Sequence, residues 1–218
     1  MADAANNTMH VLFSEYPINV IAAYSLPYPG AWQNLSTEGR AYAYLSLDVD
    51  GAAIDLVMGE SNGNNYAGHW QNILIVEPWV ESIADDRDNP LMIAGYKLNR
   101  AQDTSFNNFS KMGGGNSQYV LSASFVYSNY ADLAKLSDHQ HASAPAYVEL
   151  TFATNDNAGE DASDKSLKVM SWNVNLFGVS DAMADAVVAE VKAQNPDIVG
   201  LHNVGNQSWK SSNTSYTL

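Results

Sequence analysis

The stretches SLKVMSWNV at 166–174 and NPDIVGLHNV at 195–204 decide the fold. Each holds a short apolar run, which is typical of a strand buried on both faces. Between them Met183, Val187 and Val191 recur at helical spacing, Ser180 can cap the helix, and an Asn-Pro pair ends it. This part of the chain therefore predicts a βαβ-like unit.

The rest of the chain predicts further strands and one more helix. Residues 41–58 predict a hairpin, because an alternating run meets Asp50-Gly51, a strong two-residue turn, and then runs back. Residues 66–84 predict a helix, in which Pro78 causes a kink or a late start. Three apolar runs predict further strands, at 90–95, 118–128 and 145–153.

Two segments carry no large apolar residues. Residues 154–166 are polar and acidic, which predicts a linker. GGGNS at 113–117 is typical of a closed or shortened loop. The whole chain, 1–218, is predicted to form a single domain.

The charge of the chain limits its partners. Ten Lys and Arg against 24 Asp and Glu give a net charge of −14, which repels phosphate backbones, so we expect no nucleic acid partner. An anionic substrate held through a bound cation stays possible. There is no Cys, which excludes disulfides, thiolate zinc sites and Cys nucleophiles. We expect a monomer that takes a small molecule.

The sequence shows no membrane or export signal. No apolar run reaches the roughly 18 residues of a membrane span. The start, MADAANNTMH, has neither a basic nor an apolar region, so we expect no signal peptide. These features leave the compartment open, and recombinant expression in a cytoplasm fits them.

The amino-acid sequence of the βαβ-like unit resembles the first segment of the endonuclease/exonuclease/phosphatase superfamily, which has the DNase I-like fold. That family opens with a strand ending in Asn, then a helix, then Pro-Asp-Ile-Val-x-Leu-Gln-Glu-Val. Five earlier segments resemble its later strands and helix: HVLFSEYPI, IDLVMGESN, HWQNILIVEPWV, NPLMIAGYKLN and LSDHQHASAPAYVELTF. QNLSTEGRAYAYLSLDVDG is similar to the bacterial sphingomyelinases in particular.

The order of these segments differs from that of the family. Reading 167–218 and then 1–153 restores it, so the chain resembles a circular permutant joined through the linker. The resemblance implies an α/β fold, a DNase I-like four-layer α/β/β/α sandwich with two mostly antiparallel sheets. It also implies Mg²⁺-assisted phosphodiester hydrolysis, with a carboxylate on the metal and a His–Asp pair activating water.

At most positions that correspond to functional residues of the family, this chain has a different residue. The family's metal-binding Glu falls on Asn203, the Gln before it on His202, and its Thr-His on Glu60 and Ser61. Because a neutral amide binds Mg²⁺ far less well than Glu, we expect no metal, with Mg²⁺ as the alternative. Asn173 is retained.

Other positions change in the same way. The Asp and Asn of Gly-Asp-x-Asn fall on Tyr96 and Leu98, unless one residue is inserted and Asn99 is the surviving Asn. The family's helix Arg falls on Trp70 and its strand Arg on Glu15. An intact framework with so many changed site positions suggests deliberate re-engineering.

The changed positions predict an apolar pocket with acid–base groups. Beside Trp70 and Tyr96, desolvation would raise the pKa of Glu60 and favour it as a general base. If the strand presents its other face, Ser61 enters the cleft instead. The retained Asp138 and His139 are further catalytic candidates, since His accepts protons near neutral pH.

The resemblance leaves three functions open. The first is a pocket for a small aromatic ligand or for metal-free proton abstraction, lined by the residues Trp70, Tyr96, Leu98, Asn173, Asn203, His202 and Ser61. The second is a Mg²⁺-dependent phosphodiesterase, similar to sphingomyelinases. The third is an inert pseudoenzyme.

Overall fold

The computed structural model describes part of the chain, in eleven ranges. They are residues 2–3, 8–26, 40–60, 75–86, 89–96, 109–112, 117–122, 125–132, 145–152, 165–176 and 181–205. The described strands are β1 Ala2–Asp3, β2 Thr8–Ser14, β3 Ile18–Leu26, β4 Arg40–Val49, β5 Ala52–Glu60, β6 Leu91–Tyr96, β7 Phe109–Met112, β8 Ser117–Ser122, β9 Phe125–Asp132, β10 Ala146–Phe152, β11 Lys165–Leu176 and β12 Ile198–Gly205. The described helices are α1 Glu77–Asp86 and α2 Asp181–Gln194.

The described strands form two six-stranded sheets. Sheet A has the order β1-β2-β12-β11-β10-β9, and sheet B has the order β3-β4-β5-β6-β8-β7. Each sheet has one parallel pair at its centre, β11–β12 in sheet A and β5–β6 in sheet B, and its other pairs are antiparallel. The two strands of the βαβ-like unit therefore pair with strands from the first 152 residues, β12 with β2 and β11 with β10.

Three apolar layers hold the sheets and helices together. The inner layer joins the facing sides of the two sheets through residues such as Leu56, Val148 and Val169. Val80 of α1 packs on the other face of sheet B, and Val187 of α2 packs on the other face of sheet A. The result is the four-layer α/β/β/α sandwich that the sequence predicts, which confirms the predicted fold class.

The predicted hairpin is present, with the expected turn. Asp50 and Gly51 have φ angles of 52° and 89°, the left-handed values that a tight two-residue hairpin turn requires. The Asp48 carboxylate accepts the Gly51 N–H at 2.7 Å. From the start of β11, the Lys165 ammonium donates to the Asp50 carbonyl at 2.5 Å, so this turn of sheet B touches sheet A.

The helix ends follow the residues that sequence reasoning singled out. Helix α1 begins at Glu77, directly before Pro78. Residues 66–74 of the predicted helix lie outside the described ranges, so the kink or late start expected at Pro78 stays a prediction. Helix α2 ends at Gln194. Asn195 follows with a φ of 47°, and its N–H bonds the Val191 carbonyl at 3.0 Å before Pro196 prevents continuation.

The prediction of one strand over 118–128 is wrong. Strand β8 ends at Ser122 in sheet B, and β9 begins at Phe125 in sheet A, so the chain changes sheets within the apolar run. No Gly or Pro marks the crossing, which is why the pattern looked continuous.

The predicted linker and loop fall mostly outside the described residues. Lys165 and Ser166, the last two residues of the predicted linker, already belong to β11. Ser117 of the GGGNS loop begins β8.

Of the two helices in the described ranges, neither is long and apolar enough to cross a membrane.

Candidate functional site

The inner face of sheet A changes from apolar to polar along its two central strands. In β11, Leu167 and Val169 contribute to the inner core, and the next two inward positions are Ser171 and Asn173. In β12, Ile198 contributes to the same core, and His202 lies four residues further along. The polar residues therefore gather where the two parallel strands end.

Asn173 and Asn203 are bonded to each other at this end. The Asn203 Nδ2 donates to the Asn173 Oδ1 at 3.1 Å, and both side chains are buried. Asn203 occupies a β-bulge: between Leu201 and Val204, β12 advances three residues while β2 advances two, from Val11 to Met9. Its φ is 56°, a left-handed conformation that Asn adopts more readily than most residues.

Two histidines and a serine form a second buried group beside this pair. The Ser171 Oγ lies 3.2 Å from the His202 Nε2, and the His202 Nδ1 lies 3.1 Å from the Nδ1 of His10, on β2. The two rings meet edge to face with centroids 5.2 Å apart. Burial, and then the nearby His10, hold the pKa of His202 well below its usual value, so this imidazole is neutral at ordinary pH.

The ends of the parallel strands in the two sheets lie at the same end of the sandwich. Lys165, at the start of β11, touches the turn that precedes β5. Towards the other end, the methyl carbon of Met58 on β5 lies 3.5 Å from where a Cβ of Gly200 on β12 would stand. Strands β5 and β11 therefore run in the same sense, and Glu60 follows Met58 by two residues, about 7 Å of strand.

Glu60 and Tyr96 meet in the backbone of sheet B. They are register partners in the parallel β5–β6 pair and are the last residues of their strands. We define the strand-end site as the four positions Glu60, Tyr96, Asn173 and Asn203. These are four of the ten site residues that the sequence predicted, and the structure pairs them two by two. Glu60 pairs with Tyr96 in the backbone of sheet B, and Asn173 pairs with Asn203 through their side chains.

The other predicted site residues are either buried or outside the description. His202 is fully covered in this structure, where it contacts Ser171 and His10, and it offers no surface to a ligand. Ser61, Trp70, Leu98, Asp138 and His139 lie outside the described residues, and of Glu60 and Tyr96 the structure defines the backbone. Their predicted roles stay predictions.

The described donors at the strand-end site do not fit Mg²⁺. This ion is held in proteins mainly by carboxylate oxygens and water. Here the described side chains are the two amides, and the Asn173 Oδ1 already accepts a hydrogen bond from Asn203. The neighbouring Ser171, His202 and His10 add a hydroxyl and two imidazoles. The described ranges contain no group of three His, Asp or Glu that could hold a metal ion.

Solved structures to which the chain is similar include two bacterial proteins and one human protein. An endonuclease/exonuclease/phosphatase family protein from Bacteroides thetaiotaomicron shares 9% identity, with 68% of this chain and 61% of that chain covered and a TM-score of 0.41. The human Nocturnin catalytic domain with bound sulfate shares 8% over 59% and 66%, with a TM-score of 0.42. A mannosyl-6-phosphatase of the same Bacteroides species shares 11% over 71% and 67%, with a TM-score of 0.38.

The chain spans about three fifths to two thirds of the length of these proteins. It matches no protein-family profile and no curated protein. The functional account below therefore depends on the residues of this chain and on the motifs quoted above.

Sequence reasoning missed Ser171 and His10. Ser171 has the same strand parity as Asn173, so the alternation of β11 could have placed it on the inner face. His10 is 192 residues away from His202, and no local pattern relates the two.

Proposed function

We propose that this chain is a phosphodiesterase-type scaffold whose metal site has been replaced by a metal-free pocket at the strand-end site. In this proposal Glu60 is a general base that removes a proton from a carbon of a small, flat substrate. The chain is a circular permutant of the endonuclease/exonuclease/phosphatase arrangement, altered by design at its site positions.

One observation supports the pocket most directly: the bond between the two amides, Asn203 and Asn173. In the resembled family the position of Asn203 is a metal-binding Glu. Here its side chain donates a hydrogen bond to Asn173 at 3.1 Å and carries no charge. A site without that carboxylate has little to hold Mg²⁺ and little to attract a phosphate towards a chain of net charge −14.

The register of sheet B supports Glu60 as the base. Strand alternation assigns position 60 to the same face as Leu56, which contributes to the inner core, and Met58, which contacts Gly200 across the sandwich. In the proposal Tyr96, its register partner, and Trp70 stack on the substrate ring, since aromatic rings prefer offset or edge contacts with flat ligands.

The chemistry asked of the pocket is modest. The Glu60 carboxylate takes the proton of an acidic C–H. The electron pair left on carbon then either expels a leaving group, whose bond breaks, or moves into a neighbouring carbonyl. General-base catalysis of this kind contributes about 10²- to 10⁴-fold in rate. His139 is the alternative base, and Asp138 would then orient it.

The test is turnover of an activated benzisoxazole and of a β-hydroxyketone, measured in EDTA. Glu60→Gln preserves shape and removes the base, so it should lower turnover by about 10²-fold or more. The matched control is Glu190→Gln, at a carboxylate of α2 on the outer side of sheet A, which should leave turnover unchanged. His139→Ala should have the larger effect if His139 is the base.

Two results would contradict the proposal. Hydrolysis of a phosphodiester that requires Mg²⁺ would favour the metal-dependent enzyme. Absence of both turnover and binding with every aromatic compound would favour the inert scaffold.

The permutation has its own support and its own test. The strands of the last quarter of the chain, β11 and β12, occupy the middle of sheet A, between β10 and β2. A rearranged chain with 167–218 placed before 1–153 should fold to the same circular dichroism spectrum and unfold at a similar urea concentration. A rearranged chain that stays unfolded would argue against the permutation.

A further inference from the structure

Three residues from three strands of sheet A stand in the order nucleophile, base and orienting group. The Ser171 Oγ is 3.2 Å from the His202 Nε2, and the His202 Nδ1 is 3.1 Å from the His10 Nδ1. A hydroxyl within hydrogen-bond reach of an imidazole, whose other nitrogen is fixed by a third group, is the arrangement that activates serine nucleophiles.

The protonation state of His202 suits a base. Burial holds its pKa well below the usual value, so the ring is neutral and has one donor and one acceptor nitrogen. When the His202 Nδ1–H donates to His10, the Nε2 lone pair faces the Ser171 hydroxyl and can take its proton.

Met58, on β5 of the opposite sheet, lies near this group. Gly200 is the register partner of Ser171 in the β11–β12 pair. A Cβ built on Gly200 would lie 3.5 Å from the methyl carbon of Met58 and 3.8 Å from the His202 Nε2. The methionine methyl and the His202 Nε2 therefore border the same point above Gly200, and Ser171 and His202 are fully covered. A methionine side chain is unbranched and flexible, so this cover can move.

We propose that Ser171, His202 and His10 form a second, acyl-transfer site, which accepts a small activated acyl group such as acetyl when Met58 swings away. Ser171 and His202 are its catalytic residues, and His10 is a positioning residue. This site goes beyond the proton-abstraction function proposed above and does not depend on Glu60.

The reaction balances with an activated ester as the co-reactant. The Ser171 oxygen forms a bond to the carbonyl carbon while the His202 Nε2 takes the hydroxyl proton. The bond from that carbon to the leaving alcohol breaks, and the alcohol leaves with the proton. Water then attacks the acetyl-Ser171 ester by the same route, which releases acetate and restores the serine.

The experiment follows acetylation of the intact chain by p-nitrophenyl acetate, with peptide mass spectrometry to locate the acetyl group. The peptide that contains Ser171 should be acetylated, and Met58→Ala should raise the rate at least tenfold. The matched control is Met92→Ala, which removes another fully buried methionine of the space between the sheets and should not raise it. Ser171→Ala should leave that peptide unmodified.

The two histidines are tested separately. His202→Gln keeps a polar side chain and removes the base, so acetylation of Ser171 should fall by about 10²-fold or more. His10→Gln should shift the pH dependence of acetylation to higher pH, because His10 lowers the pKa of His202. A merely structural His10 would leave the pH dependence in place.

The proposal is wrong if Met58→Ala is folded by circular dichroism and its Ser171 is not acetylated. It is also wrong if His202→Gln is acetylated at Ser171 as fast as the parent chain. If Met58→Ala fails to fold, it is replaced by Met58→Val, which shortens the side chain but keeps it apolar. Acetylation of the parent chain is then also compared with that of Ser171→Ala over a longer incubation, and this comparison decides the outcome.

Discussion

The Nδ2 of Asn203 donates to the Oδ1 of Asn173 at 3.1 Å, and this buried bond joins the ends of the two parallel strands of sheet A. In the correspondence that the sequence motifs predict, the position of Asn203 is that of a metal-binding carboxylate. Because each amide satisfies part of the other's hydrogen-bonding capacity, the pair is stable without a cation. The part of the strand-end site that lies on sheet A is therefore neutral.

Restoring a carboxylate at this position should destabilise the chain. Asn203→Glu places a charge in a buried position, removes the bond to Asn173, and puts Glu at a φ of 56°. We expect urea unfolding to show a loss of about 2–4 kcal/mol.

The control for the backbone conformation is Asn195→Glu. Asn195 has a φ of 47° but is exposed after α2, so its substitution should cost only about 1–2 kcal/mol. Equal losses for the two variants would mean that the buried amide pair contributes nothing.

The stability of the chain should fall as the pH drops from about 6.5 to 5. The pKa of His202 is lowered in the folded state, so the unfolded chain takes up the proton first. Above the unfolded pKa of about 6.5, His202 does not make the free energy of unfolding depend on pH. Below that pKa, the free energy of unfolding decreases by up to about 1.4 kcal/mol per pH unit.

Urea unfolding at pH 7.5, 6.5 and 5.5 measures this dependence. His202→Gln should make the free energy of unfolding less dependent on pH in this range. At lower pH, the protonation of carboxylates determines the pH dependence. An unchanged free energy of unfolding between pH 7.5 and 5.5 in the parent chain would show that no neutral histidine is buried.

Two glycines of the sandwich should respond differently to alanine. A Cβ at Gly59 would overlap the ring of Tyr42, which is fully buried, so Gly59→Ala should cost about 1–3 kcal/mol. A Cβ at Gly200 meets the methyl carbon of Met58 at 3.5 Å, an ordinary contact, so Gly200→Ala should cost less than about 1 kcal/mol. Thermal unfolding of both variants checks the order, and the reverse order would place Met58 elsewhere.

The fragment 1–153 should not fold alone. It lacks β11 and β12, which stand between β10 and β2, and it lacks the inner-core residues Leu167, Val169 and Ile198. Denaturant titration of the fragment should show no cooperative transition. A cooperative transition would show that the first 153 residues form a domain of their own.

Local sequence features predicted much of this fold. The Asp50-Gly51 turn, Pro78 at the start of α1 and Asn195-Pro196 after α2 act through the backbone angles that these residues allow, so they are visible in the sequence. The change of sheet between β8 and β9 was missed, because both strands are apolar and no turn residue separates them.

The candidate site was less predictable. The strand ends could be recognised from sequence motifs. The structure pairs Glu60 with Tyr96 in the backbone of sheet B and Asn173 with Asn203 through their side chains. The bulge at Asn203 could not be recognised, since it depends on the pairing of β12 with β2, from the other end of the chain. The contact of His202 with His10 depends on the same long-range pairing.

The most direct measurement of the central claim is calorimetric titration of the intact chain with Mg²⁺. The neutral, mutually bonded amides at the ends of β11 and β12 predict no binding tighter than about millimolar, because Mg²⁺ affinity follows the number of charged oxygen ligands. Heat of dilution alone is the expected result. A site with micromolar affinity would contradict the account and restore the metal-dependent phosphodiesterase.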